Sequence, residues 1–304
     1  MPASPQPKST QPDSSQQKSA PASKRSLFDW RYVLLIVIAL ILGLLAIYFS
    51  PIRQSRNFYD YADQRLLLGI PHFWNVVSNV GFLVVGLIGL KKNHHHSLAS
   101  EPALSFAYPL FFVSLIGAFL GSSLYHLLPG PFTLMLDRIP ITIGFISLYC
   151  IIIAQYLSPK LGKAMLLPTL AYGVLSVIYW YMTDVVDGRG DMAPYVLVQL
   201  LPIIHIPLIL WLYPNRNNPT QYYLYALGLY VLCKIAESKD DELYQLTSQV
   251  SGHTLKHILA ALAGYCVYRG WKKSNRVGGG LAASVLSHHR TSVGRIRRFR
   301  IYFQ

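Results

Sequence analysis

The sequence predicts an all-α, polytopic membrane protein, and three observations carry that prediction. Hydrophobic residues fill 52% of the 304 positions and charged residues only 13%, where a soluble domain carries about a quarter charged residues. Eight apolar segments follow one another, most of them close to the roughly 20 residues a helix needs to cross a bilayer. The positive charge gathers in the tails and in alternate loops, as membrane topology requires. A net charge of +14 would suit a nucleic-acid partner, but this distribution argues against one.

Taken in order, residues 1–30 are rich in Pro, Ser, Gln and Ala and have almost nothing to bury, which predicts a disordered tail. The tail is too polar and too long before the first apolar run to be a cleaved signal peptide. The apolar segments are Tyr32–Phe49, His72–Leu90, Phe106–Leu128, Ile139–Leu157, Ala164–Met182, Ala193–Tyr213, Tyr222–Ala236 and Gly252–Trp271. The seventh is short and carries Lys234. With the N-terminus inside, most of the 27 Lys and Arg fall on the inner side. Only Arg53, Arg56, Arg65, Arg138, Arg189 and Lys239 fall on the outer side, together with most of the acids. Both termini are therefore expected to be cytoplasmic. Cys150, Cys233 and Cys266 lie inside apolar segments with no CxxC motif, and read as small core residues. Residues 273–304 start basic, pass Gly278-Gly279-Gly280 and end in Arg295, Arg297, Arg298 and Arg300. They predict a flexible cytoplasmic arm that lies on anionic lipid headgroups.

The polar residues inside the apolar segments carry the chemistry, because ionisable groups in a bilayer are costly and usually functional. His253 and His257 are four residues apart, so on a helix both imidazoles leave one face a turn apart. The third segment runs outward and ends Gly121-Ser122-Ser123-Leu124-Tyr125-His126, which sets His126 near the outer surface with Ser122 one turn below it. Pro129-Gly130-Pro131 turns the chain back, and Asp137 is expected at the outer start of the next helix. Three histidines, one aspartate and one serine thus share one depth on one side. Three imidazoles with one open position make the ligand set of a catalytic zinc, an ion that lowers the pKa of its bound water to about 7 and polarises a carbonyl. Asp137 is placed to take the water's proton and return it to a leaving group, and Ser122 to hydrogen-bond the water or an oxyanion. This is hydrolase chemistry at bilayer depth, which implies a lipid substrate. The alternative on the same residues is a structural zinc that ties two helices together.

Taken together, Phe73-Trp74-Asn75 with Ser78-Asn79, Ser122-x-x-x-His126 with Asp137 eleven residues on, and His253-x-x-x-His257 resemble the alkaline ceramidases. That family belongs to the CREST superfamily of seven-helix membrane hydrolases. The bacterial branch is the closer likeness, through Tyr61-Ala-Asp63-Gln-Arg65 leading to Gly69-Ile-Pro71, through Pro194-Tyr-Val-Leu-Val-Gln199, and through Ser251-Gly-His253. The resemblance covers residues 55–272 and implies a seven-helix transmembrane core there, with residues 31–50 as one extra N-terminal transmembrane anchor. It implies that His126, His253 and His257 are zinc ligands, Asp137 the acid–base group and Ser122 the serine beside the zinc water. The implied reaction cleaves the amide of ceramide to a sphingoid base and a fatty acid. The eukaryotic members also carry a calcium site built from acids before the first core helix. This chain offers Asp60 and Asp63 there, and has His72 where an acid would stand.

Other polar residues read more plainly. Asn75, Ser78 and Asn79 suit interhelical hydrogen bonding, with orientation of a metal ligand or headgroup as the alternative. Lys234 and Glu237 make an ion pair, His205 is a hydrogen-bonded packing residue, and His94-His95-His96 is a solvated loop on the cytoplasmic side. Two other functions use the same residues: hydrolysis of another N-acyl or ester lipid, and a receptor or transporter of the same fold without turnover. An intact Asp137 and Ser122 argue against the latter.

Overall fold

A computed structural model describes residues 29–96, 105–214 and 219–274, and among them it is helical with no strand. The polar N-terminal tail up to residue 28 and the basic C-terminal arm from residue 275 lie outside the described residues. The helices are α1 (Trp30–Phe49), α2 (Phe73–Val77), α3 (Val80–His96), α4 (Ala107–Leu127), α5 (Pro131–Ile152), α6 (Pro159–Asp187), α7 (Ala193–Leu212), α8 (Thr220–Ser238) and α9 (Asp240–Thr247), followed by α10 (252–274). Six spans, formed by α1, α2 with α3, α4, α5, α6 and α7, are long and apolar enough to cross a membrane, so the chain is an all-α polytopic membrane protein. The long helices α8 and α10 are not among the six. They carry Lys234 and Glu237, and His253, Lys256 and His257, which lower their mean hydropathy.

Local chemistry sets the boundaries. Asp29 caps α1 by accepting from the Arg31 N–H at 3.1 Å, and Ser158 caps α6 with Pro159 at its first position, both favoured arrangements. Gly188 ends α6 in the left-handed region, where glycine has no Cβ penalty. Three expectations need correcting. The second segment is broken: Asn79 Nδ2 donates to the Asn75 carbonyl at 2.9 Å, and the ladder is interrupted at residues 78–79, as a side chain inserted into the ladder does. His94-His95-His96 is the last turn of α3, not a loop. Helix α5 begins at Pro131, which stands at its first turn, eight residues before Ile139. Asp137 therefore sits almost two turns inside a helix rather than at its start.

The long helices alternate in direction, so both described termini lie at one end of the bundle. Arg31 Nη1 donates to the Leu212 carbonyl at the end of α7, and Gly270 packs on Pro219 at the start of α8. The core cluster runs through α4, α5, α7, α8 and α10, with Phe112, Ile151, Ile209 and Trp271 among its buried members. Helix α1 buries only Leu35 and packs along α7, as an added helix on the outside of a bundle does.

At the opposite end the loops are fastened by Asp191, which is 2% exposed. Its carboxylate accepts from Ser50 Oγ at 2.6 Å, from the Ile52 N–H at 2.8 Å and from the Ala193 N–H at 3.0 Å, joining the exit of α1 to the start of α7. Burial pushes this carboxyl up, but those hydrogen bonds outweigh it and hold it below the ordinary range. Its stabilising contribution is thus complete above about pH 4 and lost as pH falls through the lowered value. Asp191→Asn is expected to cost about 1.5–3 kcal/mol, the scale of a hydrogen bond to a charged group. It should lower the thermal midpoint at neutral pH, and the gap from wild type should close in acid.

Candidate metal centre

Two helix ends bring three histidines together at that same end. The last turn of α4 brings His126, and the first two turns of α10 bring His253 and His257. Ser251 caps α10, its hydroxyl accepting from the Thr254 N–H at 3.1 Å, so the Ser-Gly-His sequence delivers His253 at the start of the helix. Two glycines permit the close approach. A Cβ on Gly121 would meet the Leu136 carbonyl oxygen at 2.4 Å and Asp137 Cα at 3.0 Å, and one on Gly252 would meet the Ala236 carbonyl oxygen at 2.0 Å. Glycine therefore lets α4 lie against α5 beside Asp137, and lets α10 start against the end of α8.

The three imidazole rings form a nearly equilateral triangle, with centroid separations of 4.8, 5.0 and 4.9 Å. Their nearest ring nitrogens all lie within 4.8 Å of one another, and His126 Nε2 and His253 Nε2 are 3.2 Å apart. All three residues are buried. Two nitrogens bound to one zinc at about 2.0–2.1 Å and a tetrahedral angle would be roughly 3.3–3.4 Å apart; the His126–His253 pair has that spacing and the third donor lies within 4.8 Å of both, so the donor set can gather round such an ion. Among the described residues the group has three members and no fourth protein ligand.

The ring orientations have local causes. His257 Nδ1 lies 2.9 Å from Ser78 Oγ, and that hydroxyl donates to the Asn75 carbonyl at 3.3 Å. With Nδ1–H donating to Ser78, the lone pair of Nε2 is left facing the other two rings, which is how a metal-binding tautomer is fixed. Asn75 Oδ1 accepts from Thr254 Oγ1 at 2.8 Å and from Ser251 Oγ at 3.3 Å, fastening α2 to the start of α10. The break at residues 78–79 thus serves the site: Asn75 bonds between helices and Ser78 orients a histidine. His126 Nδ1 is buried with no hydrogen-bond partner. Its ring is held by packing instead, against Tyr61 at 4.9 Å and Tyr125 at 5.0 Å.

Sequence reasoning missed the roof. Tyr61 is 5% exposed, lies edge-on to both His126 and His253, and hydrogen-bonds Tyr125 through the two hydroxyls. Asp240, at the start of α9, accepts from the His253 N–H at 2.6 Å and from the Ala62 N–H at 3.0 Å, so one carboxylate holds both the segment that carries Tyr61 and the start of α10. Tyr61 belongs to a run already notable in the sequence, but no periodicity marks a loop residue as a cover. Asp63 is fully buried and paired with Arg65 at 2.7 Å, and Asp60 is exposed. Neither joins a third ligating side chain among the described residues. His205 is 2% exposed and bonded through Nδ1 to Tyr149 at 2.6 Å, away from the triangle.

Ser122 and Asp137 are buried at 3% and 7% exposure, and the Ser122 hydroxyl faces the Asp137 carboxylate. Both line, with His257, a cavity of about 450 Å³ between α4, α5, α7, α8 and α10, within the usual range for a ligand pocket. The ion pair expected between Lys234 and Glu237 is present but shared, since the second Glu237 oxygen takes Lys256 Nζ at 2.8 Å. All three of these charges stand on the cavity wall. Arg138 and Gln199 also line it, and most of the remaining wall is apolar, with Leu115, Leu148, Ala226 and Ala263 along its length.

The chain matches no protein-family model and no curated protein.

Proposed function

We propose that this protein is a zinc-dependent membrane amidohydrolase of the alkaline ceramidase type, cleaving ceramide-like lipids to a sphingoid base and a fatty acid. The observation that carries the reading is the shared wall of one cavity. His257 of the three-histidine group, Asp137 and Ser122 all line it, beside the charges of Arg138, Lys234, Glu237 and Lys256, and most of its remaining lining residues are apolar. Among the described residues the group has no fourth protein ligand, which favours a reactive site over a tie between helices.

In this reading His126, His253 and His257 hold the ion. A bound zinc supplies Lewis acidity and an acidified water at neutral pH. Asp137 takes a proton on a carboxylate oxygen and delivers it to the departing amide nitrogen, the two halves of general acid–base work. Ser122 Oγ donates a hydrogen bond to the carbonyl oxygen as it gains negative charge. Ser78 and Asp240 keep the ligands in place, and Tyr61 keeps bulk water off the rings. Water and the lipid amide give a carboxylate and an amine, and the acyl chain lies in the apolar part of the cavity. The distribution of basic residues supports a site toward the outer side of the membrane and both termini in the cytoplasm.

The test is fatty acid release from N-acyl lipids by the purified protein in detergent. Release is expected with about one zinc per chain, to stop on chelation and to return with zinc. Release that survives chelation, or none from any lipid amide, overturns the reading. Release from an ester but not an amide would keep the zinc chemistry and change the substrate.

A further inference from the structure

The cavity ends far from the histidines, where Tyr223 stands beside Phe111, Ile152 and Val267 with a polar cluster behind it. Tyr223, 2% exposed, lines that end. Its hydroxyl donates to Gln155 Oε1 at 2.7 Å, Gln155 Nε2 donates to Tyr108 Oη at 2.9 Å, and the Tyr108 and Tyr223 hydroxyls are 2.9 Å apart. With Tyr108 donating to Tyr223, each of the three groups in this cycle gives one hydrogen bond and accepts one. It joins α8, α4 and the π-helical turn Ile153–Leu157 that follows α5, where the Ser158 N–H bonds back to the Ile153 carbonyl. A π turn rotates the residues within it relative to an α-helix, and such turns collect at functional sites. Gln155 lies in this turn, and its amide is matched on both sides. Tyr108 also packs against Trp271 at 6.2 Å, so the floor is backed by a second aromatic layer.

We infer that Tyr223, held from behind by Gln155 and Tyr108, is the floor of an acyl-chain tunnel and sets the longest chain the site accepts. The inference rests on the amidase reading for the identity of the ligand. Depth follows from residues that line the cavity on three helices. Ser122 to Phe111 on α4, Asp137 to Ile152 on α5 and His257 to Val267 on α10 span about 16, 22 and 15 Å at 1.5 Å per residue. An extended chain advances about 1.2 Å per bond, since three backbone bonds cover about 3.6 Å. The tunnel therefore takes about 12–18 carbons. A rigid polar floor rejects a longer chain for two reasons: tyrosine cannot be compressed, and breaking the cycle would leave buried hydroxyl and amide groups unpaired.

The test reads binding rather than turnover, by displacement of a fluorescent fatty acid with saturated acids of about 10 to about 22 carbons, a range that brackets the depth. Wild-type affinity is expected to rise with length and then fall at least tenfold past a limit between about 12 and 18 carbons. Tyr223→Ala should move that limit up by about 4 carbons, the depth of the removed ring at about 1.2 Å per bond. Tyr223→Phe keeps the ring and should leave the limit in place. Ala226 lies on the wall one turn nearer the histidines, so Ala226→Leu should lower the limit by about 4 carbons. This opposite shift decides the matter if Tyr223→Ala does not fold. A limit that stays put in both Tyr223→Ala and Ala226→Leu, or no limit at all in the wild type, overturns the floor. Limits that move while no lipid amide is cleaved would leave the floor standing and sink only the amidase reading, whereas cleavage without moving limits does the reverse.

Discussion

His257→Ala is expected to remove the bound metal and bring fatty acid release to background. A protein zinc site is worth about 10–16 kcal/mol in apparent binding energy. If three imidazoles carry most of it, losing one costs on the order of 3–5 kcal/mol, or roughly 10²–10⁴-fold in affinity. Two comparisons make the result specific. Ser78→Ala leaves all three ligands but removes the acceptor 2.9 Å from His257 Nδ1. It should weaken metal binding by about 10–100-fold, the usual effect of losing a group that orients a ligand, and excess zinc should rescue it. His205→Ala also removes a buried imidazole, but one bonded to Tyr149, and should leave metal content unchanged. Metal analysis of the three purified variants reads the order directly. A His257→Ala protein that keeps its full complement of metal would mean that these rings do not share an ion.

Why these histidines were legible in the sequence, and their surroundings were not, comes down to the range of the forces involved. Hydropathy is a local property of the chain, so apolar runs declared the long helices. The spacing of His253 and His257 is likewise local, and depth along an oriented helix brought His126 to the same level. The start of α5 was misplaced because Asp137 and Arg138 interrupt the apolar run, although Pro131 already stood where helices begin. The burial of that charged pair is explained only by distant residues. Arg138 lies 4.1 Å from the Trp180 ring and 4.9 Å from the Tyr195 ring and bonds Gln54 at 2.8 Å, contributions from α6, α7 and the loop after α1. The sharing of Glu237 between Lys234 and Lys256 joins two helices across nineteen positions and leaves no trace in either segment. The break after Val77 falls at the polar Ser78-Asn79 pair inside a segment apolar enough to read as one helix, and its cause is a side chain competing for a backbone carbonyl.

Asp137→Asn separates holding the ion from moving the proton. The residue is not a member of the three-histidine group, so the variant should bind zinc like the wild type. The amide nearly preserves the volume of the carboxyl group, which keeps the cavity wall and the contact with α4 at Gly121 intact. What it removes is an oxygen able to take and return a proton, and positioned acid–base groups contribute about 10²–10⁴-fold to rate. Release is therefore expected to fall by that factor with metal content and acyl-chain binding unchanged. Ser122→Ala should fall less steeply, by about 10²–10³-fold if its hydroxyl stabilises the oxyanion, and more in kcat than in KM, because the bond strengthens only as charge develops. An Asp137→Asn enzyme that kept its rate and its zinc would mean that the proton travels by another group on the cavity wall. Lys256 is the nearest such candidate in sequence to a ligand, but its ammonium is already bonded to Glu237. Adding Lys256→Met to the Asp137→Asn protein would then separate the two routes, since the double variant loses turnover only if the lysine had taken over the transfer.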